Sequence, residues 1–236
     1  MLHLQRSIPF PPIRLERLVK YLQLVSQRGS SPLEDLRSEG LDFGKGKGDI
    51  TRFLERLGLV KTSDKSASLT EAAYELLTLY HSLGPAIFHA LFYISLVQYK
   101  ILADILAERK ALDLDELYEE LNKRIAEISP SSWVNHVAFK SLIAIAQDVG
   151  LVEKRGGQVE YRGNPLRKAL SEALGGISLG GKAYSDGVPS WLTQCSKAQG
   201  PLGVVQIDLE CAERSLEEHL ANLLNASQRR RASTDE

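Results

Sequence analysis

The chain has 236 residues, 43% of them apolar and 25% charged, and 29 Lys and Arg against 30 Asp and Glu leave a net charge of −1. This composition excludes a disordered or fibrous chain and matches an ordinary globular protein long enough for one large or two small cores. It also excludes a globally basic nucleic-acid binder, so any phosphate site must be a local patch, and residues 1–84 carry a net of +2 against −2 for residues 85–165.

Met1 to Arg6 lacks the apolar core of a signal peptide, and Pro9, Pro11 and Pro12 rule out an apolar helix directly after it. Leu15, Leu18, Val19, Leu22 and Val25 then recur at helical spacing. Gly29 reads as a helix stop, Ser31 as an N-cap and Pro32 as the first position of a short helix ending at Gly40. Asp49 caps a third predicted helix, in which Ile50, Phe53, Leu54 and Leu57 turn inward and Thr51, Arg52, Glu55 and Arg56 face out. Leu59 to Thr62 and Ser68 to Thr70 read as strands around a polar turn, and Thr70 caps a helix from Glu71 to Ser82.

Gly84-Pro85 breaks the chain, and one long helix is predicted from Ala86 to Arg109. Its most apolar part, Ala86 to Val97, is too short to span a bilayer. An acidic helix over Asp113 to Ile128 leads to a third helix opened by Pro130 and running to Asp148. Ser132, His136, Lys140 and Gln147 form its one polar stripe, so it reads as buried on most sides. A second hairpin is expected around Gly156-Gly157, then a helix that ends near Leu174. Residues 175–203 are loop-rich, Val204 to Ile207 reads as a strand, and Asp208 caps an amphipathic helix over 208–225 ahead of a frayed tail.

Leu57-Gly58-Leu59-Val60-Lys61 is echoed by Val149-Gly150-Leu151-Val152-Glu153, each copy closing an apolar helix and opening a hairpin. That order resembles the winged helix-turn-helix superfamily, and the first unit is similar to prokaryotic, especially archaeal, transcription regulators. The resemblance covers about two thirds of the chain, residues 13–83 and 86–163. The expected fold is therefore mainly α with small β-hairpins (α+β): tandem winged helices over 1–84 and 85–165, then a C-terminal extension over 166–236. The resemblance implies a third helix in the major groove, a wing on the DNA backbone and often a homodimer.

Lys45, Lys47, Thr51, Arg52, Arg56, Lys61 and Lys65 are the candidate DNA-binding residues, with Arg52 as the base reader. Carboxylates on the acidic helix would be repelled by a duplex, so the second unit reads as structural or partner-binding, with residues 86–148 and 208–224 as surfaces for a homodimer or protein partner. Gly176 to Lys182 has phosphate-loop spacing, but Ala183 replaces the Mg²⁺-coordinating hydroxyl and no buried strand precedes it. The five histidines are dispersed, no catalytic set assembles, and neither a cofactor nor a metal is expected. Cys195 and Cys211 make no disulfide framework, so a reducing, cytoplasmic location is expected. The expected function is duplex-DNA binding, as a transcriptional regulator or accessory factor of a DNA-processing system. The competing expectation is a non-catalytic adaptor that uses the same folds to bind protein.

Overall fold

A computed structural model describes residues 10–42, 49–174, 189–199 and 204–232. Lys45, Lys47 and the 176–182 glycine-lysine stretch lie outside the described residues. The architecture is mainly helical with small antiparallel sheets, and residues 15–161 hold the same element order twice. The first copy is α1 (Leu15–Arg28), β1 (Ser30–Pro32), α2 (Leu33–Ser38), α3 (Ile50–Arg56), β2 (Val60–Ser63) and β3 (Ser66–Leu69), followed by α4 (Glu71–Leu83). After α5 (Ala86–Ser95), the second copy is α6 (Val97–Arg109), β4 (Ala111–Asp113), α7 (Leu114–Ile128), α8 (His136–Asp148), β5 (Val152–Arg155) and β6 (Gln158–Tyr161), followed by α9 (Pro165–Leu174). The strand orders, β1-β3-β2 and β4-β6-β5, match.

Backbone detail repeats as well. Gly58 and Gly150 sit at φ +76° and +83°, in the left-handed region open to glycine. The next residue folds back onto the helix in each copy, Leu59 N to Leu54 O and Leu151 N to Ala146 O, both 2.9 Å. The hairpin turns also match: Lys65 O accepts from Leu33 N at 2.9 Å, and Gly157 O from Leu114 N at 3.0 Å.

Four sequence expectations are corrected. Ser30–Pro32 is a strand on a sheet edge, where the missing proline N–H is tolerated, rather than the start of a helix. Helix α8 begins at His136, not Pro130. Asn135 caps it, while Asn122 accepts from Val134 N at 2.7 Å and donates to Val134 O at 3.2 Å, holding the segment before it irregular. The predicted long helix is two, bent by 115° at Leu96. Within the loop-rich 175–203, α10 (Ser190–Thr193) and β7 (Ser196–Gln199) form, and β7 pairs with β8 (Val204–Ile207).

The bend at Leu96 has no proline or glycine behind it; tertiary burial makes it. Ten residues along a straight helix would separate two side chains by roughly 15 Å. Here His89 Nδ1 and the Tyr99 hydroxyl, ten residues apart, lie 3.0 Å from each other inside the core. Burial depresses the His89 pKa to about 4, so the folded state holds the ring neutral. Stability from this group is complete above the ordinary histidine pKa of about 6.5 and is lost as pH falls towards 4. Urea denaturation across pH 7 to 4 is expected to show a decline of about 3 kcal/mol from this group, and His89→Gln should flatten that part of the slope.

Helices α4, α5 and α9 pack on one another, and α11 (Leu209–Ala232) lies across all three, running to Ala232 rather than ending at 225 ahead of a frayed tail, because its far half packs on the core through Leu224. Asp208 caps α11 by accepting from Glu210 N and Cys211 N. Leu216, Leu220 and Leu224 join one apolar core that extends back to α1. Cys195 and Cys211 form a disulfide, which ties the α10–β7 segment to α11. The pairing removes the ground for reading these cysteines as evidence of a reducing compartment. No single helix among the described residues is long and apolar enough to cross a membrane.

Candidate nucleic-acid interface

Helix α3 begins where Asp49 closes its first turn: one carboxylate oxygen accepts from Arg52 N at 2.9 Å, and the other lies 3.2 Å from the Arg52 guanidinium. Ile50, Phe53 and Leu54 are buried, as their spacing requires, and Arg52 and Arg56 project outward. The Arg52 side chain is 66% exposed although its partner Asp49 is only 12% exposed, so the guanidinium keeps a solvent-facing side open to a phosphate. The Thr62 hydroxyl donates to the Glu55 carboxylate and fastens β2 to α3.

On that hairpin Lys61 and Lys65 are both exposed. The turn places Asp64 at φ +49° and Lys65 at φ +61°. Left-handed backbone brings the Cβ of any L-residue close to the following carbonyl oxygen, so residues held there cost of order 1 kcal/mol or more and persist only where their surroundings impose them. Here the Lys65 carbonyl is held by Leu33 N, so the strained residue keeps a cation at the hairpin tip.

Thr51, expected on the outward face, is instead buried, at 4% exposure. Its hydroxyl donates to Asp42 Oδ2 at 2.5 Å and receives the Tyr21 hydroxyl at 2.9 Å. Asp42 Oδ1 also accepts from Ile50 N at 3.1 Å. Thr51 cannot touch a duplex; it is part of the buried relay, Tyr21 to Thr51 to Asp42, that orients α3. Sequence reading missed both partners. The available signal was a polar residue at an otherwise apolar approach, Leu41-Asp42, ahead of a short helix.

The second unit is built differently at the matching positions. Where the first has Arg52, Arg56, Lys61 and Lys65, the second has Ala144, Asp148, Glu153 and Gly157. Asp148 is occupied within the chain: it accepts from Leu15 N at 2.9 Å and forks onto Arg14, capping α1 of the first unit. Arg155 and Arg162 are cross-linked to Glu153 and Glu160, at 2.9 to 3.9 Å, so the second hairpin pairs its arginines internally, while Lys154 on it is exposed. Asp113, Asp115, Glu116 and Glu119 are exposed on and before α7.

Phe139, Ile143, Ile145 and Ala146 of α8 are buried as expected. Trp133 and Val137 are not: they are 49% and 53% exposed, and Ile128 at the end of α7 is 61% exposed. His136 stacks on Tyr118, ring centroids 4.0 Å apart. Among the described residues, no group of three or more His, Cys, Asp or Glu could hold a metal ion. No family model, curated protein or solved structure matches this chain.

Proposed function

We propose that this chain is a duplex-DNA-binding protein whose first unit acts as a winged helix, with α3 entering the major groove and the β2–β3 hairpin lying along the phosphate backbone. One observation carries the reading: at four matched positions of the repeat the first copy has the exposed cations Arg52, Arg56, Lys61 and Lys65, where the second has Ala144, Asp148, Glu153 and Gly157. Phosphate contact explains that asymmetry, since folding alone does not require Arg52, Arg56, Lys61 or Lys65. The reading makes the protein a transcriptional regulator or an accessory factor of a DNA-processing system. No catalytic step or cofactor enters it.

The salt dependence of binding to a generic duplex is the test. Four phosphate contacts give an expected slope of log K against log salt of about −4, steeper if Lys45 and Lys47 join them. Absence of duplex binding at low salt removes the proposal.

A second reading, favoured by the exposed Ile128, Trp133 and Val137, is an adaptor whose second unit docks a protein partner or a second copy of the chain. Of the surfaces expected for it, residues 86–148 and 208–224, the apolar faces of α5, α6 and α11 are already buried inside the chain, which leaves the exposed residues about the α7–α8 junction. The two readings separate on whether the first unit's cations matter to any binding at all.

A further inference from the structure

Helix α11 is segregated by sign. Its carboxylates Glu210, Glu213, Glu217 and Glu218 lie in the first half, and beyond Glu218 the helix carries no acid but ends in Arg229-Arg230-Arg231. The basic half is the one that reaches the first unit. Leu224 and Ser227 are buried, and Gln228 Nε2 lies 3.5 Å from the Arg56 carbonyl. At Gly58, the residue that terminates α3, an added Cβ would stand 3.5 Å from both Gln228 Cγ and the Leu224 carbonyl. Arg56, Asn225 and Gln228 share a cleft of about 270 Å³, and Arg229, the next residue along, is exposed.

The C-terminal ends of α3 and α11 thus converge, each bearing an exposed arginine. Among the described residues neither Arg56 nor Arg229 has a carboxylate partner. A single arginine in the last turn is commonly accounted for by the partial negative charge of a helix end. Three in succession, on a helix end that meets a further cation after a stretch free of acids, exceed what the helix end needs.

Resting on the duplex-binding reading, we infer that the end of α11 is a second phosphate-contacting element, extending the α3 face along the same DNA backbone. The C-terminal segment then does more than close the core: it enlarges the footprint of the first unit.

The experiment compares the full chain with its R229Q/R230Q/R231Q variant on a generic duplex across salt concentration, with R214Q, an exposed arginine in the acidic half of α11, as control. The triple variant is expected to bind at least about tenfold more weakly at ~0.1 M salt, with a slope shallower by one unit or more, while R214Q follows the parent. R229Q alone should lower the slope by about one. If the parent binds DNA and the triple variant matches it in affinity and slope, the inference is overturned and the α3 reading stands. If the parent itself does not bind, both fall. A melting curve unchanged by the substitutions attributes the loss to contact rather than folding.

Discussion

Reversing both exposed arginines of α3, R52E with R56E, is expected to lower duplex affinity at least about a hundredfold at ~0.1 M salt and to reduce the salt slope by about two. The two residues lie one helical turn apart on one outward face, so they meet successive phosphates or a phosphate and a base edge together. Each reversal removes a released counterion and adds a charge that repels the backbone, so the effect exceeds neutralisation. Folding should barely change, because both side chains are exposed and exposed substitutions mostly stay within about 0.5 kcal/mol. The matching control is R155E on the second hairpin, an arginine already held by Glu153 and Glu160. It should leave duplex affinity within about threefold of the parent. Fluorescence anisotropy on a labelled duplex measures both; equal affinities for R52E/R56E and the parent would sink the duplex-binding proposal.

Features that depend on neighbours in the chain are legible in the sequence. Asp49 and Thr70 cap their helices as read, Ile50, Phe53, Leu54 and Leu57 face inward, and Gly58 and Gly150 terminate α3 and α8 with positive φ. Features decided by contacts distant in sequence are not. Strands β1 and β4 have three residues each, too few to show alternation, and exist because a hairpin strand pairs with them. The break at Leu96 brings Tyr99 back onto His89 and Phe92, and the one residue beside it that weakens a helix, Ser95, is too common inside helices to mark it. Helical periodicity places Thr51 outside, yet α3 has only seven residues, and Tyr21 and Asp42 draw a hydroxyl inward that an apolar pattern does not count. The candidate site is legible to the extent that charge is local. Arg52, Arg56, Lys61 and Lys65 can be named from the sequence, whereas the approach of α11 to Gly58 cannot, because it joins residues about 170 apart.

Asp42→Ala is expected to cost about 3 kcal/mol and lower the melting temperature by roughly 6–12 °C, although the residue touches neither solvent nor ligand. Its carboxylate accepts from Ile50 N and from the Thr51 hydroxyl, and behind Thr51 stands the Tyr21 hydroxyl. Alanine leaves the Ile50 N–H and the Thr51 hydroxyl inside a core with nothing to accept them, at roughly 1–3 kcal/mol for each unsatisfied group. Helix α3 is sensitive to this loss because it is short. Its first turn is held by Asp49 from outside and Asp42 from inside, and seven residues have little propensity of their own to remain helical. Asp42→Asn keeps one good acceptor and should cost about half as much. The two classes of variant then differ in kind. R52E/R56E should lose affinity and salt slope at constant stability. Asp42→Ala should lose stability while keeping the slope, since all four exposed cations are still present once the chain is folded. A melting temperature within about 2 °C of the parent would mean that the buried relay does not hold α3, and its outward face would then need some other support to be presented to a groove.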